Sequence, residues 1–554
     1  MHHGDESAHP TASATPAAAS SDSVVVDCHR TRYHVVRAAV RLIGWVVDDT
    51  DTQETVPATF HGVSLVSHTC AAPAPHAAQV LWVDKSVVRS TVAGLACHQR
   101  LNHFAAMNVI ARKAQLFRRL MQLSRLHAEA DDTRRRRGSS SSSCADLIDG
   151  LTTAAAAVSS SLKHFFDVSV PPSYSSITEL GRLAAFQREW VASQPPYFII
   201  KPNTGCEGRG IRITATPEAD LSEAERADRK SECVVQLYVD RPLLMGGRKF
   251  DLRLYVLLLS VVPQPPQSRS RRAAAAAADD DVGGARAVED VPRDVRGVEL
   301  YVHREGLVRL CVEPYAPPTE VNCRDARRHL SNYAVNRDSA LYVPPNHDDG
   351  DAAAPQAVAV EGSKRSLAAL AAFIDSLGTA GGWPRVRRSI DECIALTILS
   401  GVEVLRRELI GAGGARGYRA DGRGCFELLG FDVMLREADL RPVLMEVNHS
   451  PSLFCDTAFD FSVKSTVLAD TLRLVATRMP PWAHHEGDPQ RYAARMAGAA
   501  TAQWGQHAEA PFGFRAVLPH YAPGDGAGGA AAQDWHPEER AAQQRLVELS
   551  KRLP

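Results

Sequence analysis

The chain has 554 residues, with 63 basic and 64 acidic side chains and a formal net charge of -1. Bulk charge therefore gives no ground for nucleic-acid or membrane-surface binding, and only local patches can. The 11 cysteines show neither a CxxC pair nor a zinc-like Cys/His spacing, which reads as reduced thiols in a cytosolic protein, and no run approaches the ~20 apolar residues that span a bilayer.

In chain order, residues 1–25 lack the basic start and apolar centre of a signal peptide and are expected to be a disordered leader. An N-terminal domain is expected over 26–165. It holds a helix-like run at 91–127 and a biased insert at 129–145, whose RRRR run reads as a solvated loop. A central domain at 166–262 contains the strand-like runs YFIIKP (197–202), GIRIT (210–214), CVVQLYV (233–239) and FDLRLYVLLLSVV (250–262). A low-complexity insert follows at 263–296. A C-terminal domain over 297–480 opens with VELYVHREGLVRLC (298–311), passes a polar insert at 344–361, and has helix-like runs at 363–377, 387–410 and 460–478. In 387–410, Ile390, Cys393, Ile394, Thr397, Ile398, Val402 and Leu405 recur at helical spacing. Residues 481–554 read as a partly disordered tail with a short helix at 537–551. Hairpins mixed with helices point to an α+β fold with mixed or antiparallel sheets rather than a doubly wound parallel one.

The segment ELLGFDVMLREADLRPVLMEVNHSPSL (427–453) places polar residues where strands should bury Val and Leu. Glu446 and Asn448 are two apart and share a strand face. A turn through READLRP folds the preceding strand back, so that Asp432 lies beside them. Two carboxylates and an amide oxygen suit a hard cation, and Mg²⁺ with nucleotide phosphates is the expected occupant. The alternative is a solvent-facing polar strand surface.

A metal of this kind requires a phosphate cradle. FIIKPNTGCEGRGIRIT (198–214) supplies one: Lys201 ends a strand, and Gly205, Gly208 and Gly210 let backbone N–H groups approach phosphate oxygens. It is not a Walker A loop, because no helix follows and GK[ST] is absent. In VVQLYVDRPLLMGGRKFDLRLYVLL (234–258) the first strand offers backbone groups to a base edge. Lys249, Asp251 and Arg253 alternate along the second and share a face, with cross-strand ion pairing as the alternative reading.

These motifs, with GLVRL, HLSNYAVN, GSKRSL and LNHFAAMNVIARK, resemble the tubulin tyrosine ligase-like family of the ATP-grasp superfamily over roughly residues 80–480, and most of all its polyglutamylases. The resemblance implies an ATP-grasp-type fold with a Gly-rich hairpin lid and flanking helices. It also implies an ATP-dependent carboxylate–amine ligase that joins free L-glutamate to tubulin C-terminal tails. It assigns ATP phosphates and adenine to Lys201 and Lys249, with Phe250 and Asp251 beside them. The lid falls to Gly208, Arg209, Gly210 and Ile211, with Arg209 near the acceptor chain. Adenine contact falls to Gln236, Leu237, Tyr238 and Val239, and phosphate contact to Ser331 and Asn332. Two Mg²⁺ ions fall to Asp432, Glu446 and Asn448. Arg253, Lys201 and Glu446 are the expected catalytic groups. The incoming glutamate is expected to meet Arg309, Lys364, Lys464 and Tyr333, since a side-chain carboxylate demands a cationic pocket where glycine or tyrosine does not.

The sequence departs from the family pattern at four positions. Ser331 stands for Thr, Ala334 for Ser, Glu207 for Gln, and Met107 follows AA instead of PG. A glycine or tyrosine ligase of the same fold, a non-tubulin acidic substrate and a non-catalytic microtubule-binding protein are the alternatives. The resemblance further implies a cytoplasmic, cytoskeletal or ciliary location (axoneme or basal body), no membrane, no nucleic acid beyond ATP, and a monomer.

Overall fold

The computed structural model describes residues 24–49, 59–60, 63–64, 78–96, 99–138, 165–166, 169–171, 173–174, 196–205, 207–221, 233–261, 298–345, 362–413, 424–477 and 511–518. The expected leader as far as residue 23, the insert at 263–296, most of 344–361 and the helix at 537–551 lie outside the described residues.

The first sheet is one the sequence reading missed. Strands β1 (Val25–Arg30), β2 (Val46–Asp48), β5 (Val80–Val83) and β6 (Arg100–Leu101) run in the order β2-β1-β5-β6, all parallel, and β3 (Thr59–Phe60) pairs with β4 (Val63–Ser64) as a separate hairpin. Helix α1 (His34–Leu42) makes the crossover between β1 and β2. The single helix expected over 91–127 is instead broken. Short α2 (Arg89–Ala93) ends at Gly94, β6 follows, Ala106 turns the chain at φ 65°, and α3 (Asn108–Ala111) leads into α4 (Lys113–Gly138). Apolar spacing in that stretch resembles one periodic run although part of it belongs to a strand and a loop. The expected loop also yields: α4 stays helical through the arginine run to Gly138, in keeping with the good helix propensity of Arg.

The second sheet, order β7-β10-β8-β9, is antiparallel. Its strands are β7 (Ser173–Tyr174), β8 (Phe198–Pro202), β9 (Arg212–Thr214) and β10 (Cys233–Leu237). The glycine segment is the hairpin connection between β8 and β9. Gly208 and Gly210 hold φ of 80° and 72°, a region costly for residues with a Cβ.

The third sheet positions the site. Its order is β14-β13-β12-β15-β16, with β11 (Leu244–Met245) on β12 and β17 (Phe514–Leu518) on β13. The main strands are β12 (Arg248–Ser260), β13 (Glu299–Leu310), β14 (Lys364–Ser366), β15 (Glu427–Leu435) and β16 (Pro442–Asn448), all antiparallel. β17 lies within the tail expected to be partly disordered, and its Phe514 and Leu518 are buried.

Alternation along these strands assigns the two faces. Leu252, Leu254, Val256, Phe431 and Val433 join one core cluster, against α4, α5 (Leu367–Ser376) and α6 (Gly382–Gly413). The seven helically spaced residues of 387–410 are all buried there. Tyr255, Leu257, Tyr301 and Leu428 face the other way, into a second cluster with α1 and α7 (Ala458–Thr477). Toward one end of the sheet this second face turns polar, and Arg253, Asp251, Arg309 and Asp432 replace the apolar side chains. The polar residues of the 427–453 segment thus cost no core, because the intervening residues fill it. Among the described residues, no helix is long and apolar enough to cross a membrane.

Candidate active site

Cross-strand register builds the site. Lys364 on β14 lies opposite Arg309 on β13, Arg309 opposite Asp251 on β12, Arg253 opposite Asp432 on β15, and Asp432 opposite Glu446 on β16. Directly opposite residues share a face, so one row of charges crosses five strands. Gly430 pairs with Asn448 one step further on. The hairpin expected at 427–453 therefore brings Asp432, Glu446 and Asn448 together.

The row is tightly ion-paired. Arg253 donates through Nε and Nη2 to the two oxygens of Asp432 at 2.6 and 3.0 Å. Arg309 donates both ways to Asp251, at 2.7 Å each, and its Nη2 reaches Asp432 Oδ2 at 2.9 Å. Asp251 and Arg253 thus form the cross-strand pairs that the sequence left as the alternative. Burial alone would raise the Asp432 pKa, but the two guanidiniums outweigh it and hold the carboxyl well below its usual range. Burial opposes the charge on Arg309 too, and its carboxylate partners raise it far above the ordinary value.

Beside this row opens a cleft of about 650 Å³, mouth included, whose walls include Lys201, Gln236, Lys249, Asn332, Asp432 and Glu446. Leu237, Tyr238, Val239, Asp251, Ile211 and Ser331 also line it. Lys201 donates to Gln236 Oε1 at 2.8 Å, while Gln236 Nε2 is buried with no hydrogen-bond partner among the described residues. Lys249 donates to Tyr238 Oη at 2.9 Å. Tyr238 in turn donates to His329 Nδ1 at 2.9 Å, because His329 Nε2 gives its proton to the Asn322 carbonyl at 3.1 Å. Burial is the main reason that both lysines are pulled down to about 8. Burial and the nearby Lys249 pull His329 down to about 4 and keep it neutral.

The glycine hairpin borders a smaller adjoining pocket lined by Lys113, Lys201, Gly205, Gly208, Arg209, Ile211, Asn332 and Glu446. A Cβ on Gly208 would sit 3.0 Å from Val335 and 3.3 Å from Asn332 Oδ1, so the hairpin packs onto the segment that carries Asn332. Arg209 is exposed and pairs with Glu207 at 3.2 Å. Phe250, placed by sequence beside the nucleotide, points the other way. It is buried in the first core cluster, as alternation with Lys249 and Asp251 requires.

The expected glutamate pocket divides. Lys364 pairs with Asp460 at 2.6 Å and stands 3.6 Å above the Tyr333 ring. Lys464 lies 3.4 Å from the other Asp460 oxygen and donates to the Phe454 carbonyl. These three gather around a buried carboxylate that the sequence reading did not single out, whereas Arg309 belongs to the Asp251–Asp432 row. Burial works against an ionised Asp460, but Lys464 and Lys364 more than offset it and lower its pKa.

The residues fit a hard cation and a polyphosphate. Two buried or half-buried carboxylates stand in register in the wall of the cleft that holds Lys201 and Lys249, and an all-oxygen set is what Mg²⁺ requires. The Asn448 amide now donates to Glu446 Oε1 at 3.3 Å and to the Gly430 carbonyl at 3.5 Å. Offering its oxygen to a metal requires the amide to turn over.

Sequence reasoning missed Lys113. Its ammonium lies 3.0 Å from Glu446 Oε2 and 3.0 Å from the Gly205 carbonyl, and the next residue's N–H donates to Asn203 Oδ1 at 3.0 Å. The start of α4 therefore ties the glycine hairpin to the metal-type carboxylate. The signal was present in LNHFAAMNVIARK, where a lysine precedes a helix at the end of an apolar motif.

The segments that form this cleft fall within the part of the chain that is similar to known proteins. The model of the tubulin-tyrosine ligase family matches residues 92–264 and 291–485. The chain is 29% identical over 402 residues to tubulin polyglutamylase ttll6 of Danio rerio, covering 71% of this chain and 38% of that protein. It is 25% identical over 486 residues to tubulin polyglutamylase TTLL7 of Homo sapiens, covering 86% and 41%. It is 26% identical over 401 residues to the probable beta-tubulin polyglutamylase of Tetrahymena thermophila, covering 72% and 25%. The chain thus spans well under half the length of these curated relatives. With the family model matching most of the sequence, and the motifs meeting around one cleft, the chain belongs to the tubulin-tyrosine ligase family.

Proposed function

We propose that the protein is an ATP-dependent glutamate ligase that acts on the acidic C-terminal tails of tubulin. The observation that carries this reading is the in-register pair Asp432 and Glu446 in the wall of the cleft that holds Lys201 and Lys249. Two carboxylates for a metal and two lysines for phosphates are what phosphoryl transfer from ATP to a carboxylate needs. The relatives named as polyglutamylases support glutamate as the amino acid and tubulin as the acceptor.

A carboxylate is a poor electrophile, so the acceptor γ-carboxylate must first be activated. Its oxygen takes the γ-phosphoryl group of ATP, giving an acyl phosphate and ADP. The amine of free glutamate then attacks the acyl carbon, an isopeptide bond forms, and phosphate leaves with the electron pair of the broken C–O bond and takes up the proton that the amine gives up. Asp432, Glu446 and Asn448 would hold two Mg²⁺ ions, which supply charge neutralisation on the polyphosphate. Lys201 and Lys249 hold the nucleotide, and the end of β10 with the two residues after it, Gln236 to Val239, meets its base. Ser331 and Asn332 meet phosphate, and the glycine hairpin acts as a lid, with Arg209 turned toward the acceptor chain. Arg253 offsets charge as anion meets anion, through Asp432. Lys364, Lys464 and Tyr333 receive the incoming glutamate, with Arg309 aligned beside Lys364 across β13 and β14. A monomer located on cytoplasmic or ciliary microtubules accords with this reading.

The test is transfer of labelled glutamate to microtubules by the full chain with ATP and Mg²⁺. Lys201→Met and Glu446→Gln should each lower it about 10²–10³-fold. Unchanged transfer in both variants, or microtubule binding with no transfer by the wild type, rejects the reading.

A further inference from the structure

One cluster is left unused by this reaction. His103 lies between β6 and α3, Glu427 opens β15, and His449 follows β16. Each brings one ligand atom to within 4.8 Å of the others.

Hydrogen bonds fix the orientation of all three side chains. His103 Nε2 lies 2.9 Å from the Val83 carbonyl, which can only accept, so Nε2 carries a proton. That leaves His103 Nδ1 facing Glu427 Oε1 at 2.7 Å. The other Glu427 oxygen is taken by the Phe104 N–H at 2.7 Å, and the carboxylate is fully buried. His449 is half-buried, with Nε2 3.0 Å from Ser86 Oγ and Nδ1 2.9 Å from Ser450 Oγ. A hydroxyl can donate or accept, so either His449 nitrogen can present a lone pair. The two imidazoles meet edge to face, 5.9 Å between centroids.

A ring nitrogen 2.7 Å from a carboxylate oxygen needs positive charge between them. A proton can supply it, but a proton makes no use of the second histidine. Two imidazoles and a carboxylate, with one imidazole oriented by a backbone carbonyl, are a donor set of the zinc type with room for a further ligand. We propose that His103, Glu427 and His449 form a site for a divalent transition metal, separate from the magnesium-type site at Asp432 and Glu446. Bonds of about 2.1 Å at tetrahedral angles hold ligand atoms about 3.4 Å apart, so a metal must open the His103–Glu427 contact from its 2.7 Å as it enters. His449 is the partly exposed member, next to Ser450. A bound metal would clamp the start of β15 to the end of β16, which carry Asp432 and Asn448.

The experiment titrates the full chain with Co²⁺ alone and reads its visible absorption, followed by Zn²⁺ displacement. The expected result is a band that saturates near one equivalent, is abolished by Zn²⁺, and is weakened at least about tenfold in affinity by both His449→Ala and Glu427→Gln. His449→Ala replaces a partly exposed side chain, and its metal-free melting curve should match that of the wild type. A wild type with no such band, where His103 and Glu427 remain only a protonated pair, overturns the proposal. So does a band that persists unchanged in His449→Ala, which would place the metal on the cysteines or other histidines.

Discussion

Arg309 on β13 and Asp251 on β12 face each other across the sheet and are joined by two parallel hydrogen bonds of 2.7 Å. The same guanidinium reaches Asp432 at 2.9 Å. An arginine expected from sequence to grip the incoming amino acid is thereby also the counter-charge for two buried carboxylates. Its removal strands Asp251 and leaves Asp432 with Arg253 alone. Arg309→Ala should cost about 3–5 kcal/mol, since breaking a buried pair strands a charge, and should lose glutamate transfer at the same time. The melting temperature should fall by at least several degrees, and less than additively when Arg309→Met is combined with Asp251→Asn. Full stability in Arg309→Ala would show that the pairing is incidental.

The gathering of Lys364, Lys464 and Tyr333 around Asp460 predicts a selective effect on the amino acid. Lys364→Met removes one charged hydrogen-bond donor, worth about 1.5–3 kcal/mol. The KM for glutamate should rise by about tenfold to a hundredfold, with the KM for ATP unchanged. Steady-state kinetics at varied glutamate decides this. Equal rises in both constants would place Lys364 in a structural role.

Lys113 supplies the positive charge now facing Glu446 and ties that carboxylate to the hairpin at Gly205. Magnesium arriving at Glu446 must displace this ammonium. Lys113→Met should therefore lower the Mg²⁺ concentration for half-maximal turnover while reducing kcat through a looser hairpin. A higher Mg²⁺ requirement in the variant would contradict the placement.

The two cleft lysines give a pH signature. Burial draws Lys201 and Lys249 from 10.5 down to about 8. Between pH 8 and 10.5 the unfolded chain binds more protons at these groups than the folded one, so their penalty on stability is present below about 8 and is relieved as pH rises through that window. Phosphate binding favours the charged form and reverses the trend for the ligand. Nucleotide binding near pH 8.5 should take up protons and should weaken as pH rises further. Calorimetry in buffers of different ionisation heat measures the uptake, and Lys201→Met should reduce it. Proton release on binding would contradict the assignment.

The site was more legible in the sequence than the frame around it. Asp432, Glu446 and Asn448 could be placed because alternation puts Glu446 and Asn448 on one strand face and a short turn folds Asp432 back beside them, although the register shift between Asp432 and Val433 was not legible. Lys249, Asp251 and Arg253 followed from the same period, and that period puts Phe250 in the core. Asp460 escaped notice because a lone acid on a helix is ordinarily solvated. The approach of Lys364, from nearly a hundred residues away in sequence, joins Lys464 on the same helix in making it a buried counter-ion. The parallel sheet of β1, β2, β5 and β6 escaped because its strands are short and their pairing is non-local. β17 escaped because its partner β13 lies some two hundred residues upstream and the segment around it is rich in Ala and Gly.

The central claim, glutamate transfer by a magnesium–ATP cleft built on Asp432 and Glu446, is tested most directly by mass spectrometry of tubulin tails. Microtubules would be incubated with the full chain, ATP and Mg²⁺, and with glutamate, glycine or tyrosine in turn. The expected result is tails heavier by whole glutamate residues, with no addition from the other two amino acids and none from the Glu446→Gln variant. Additions from glycine or tyrosine alone, or glutamate additions that persist in Glu446→Gln, would contradict it.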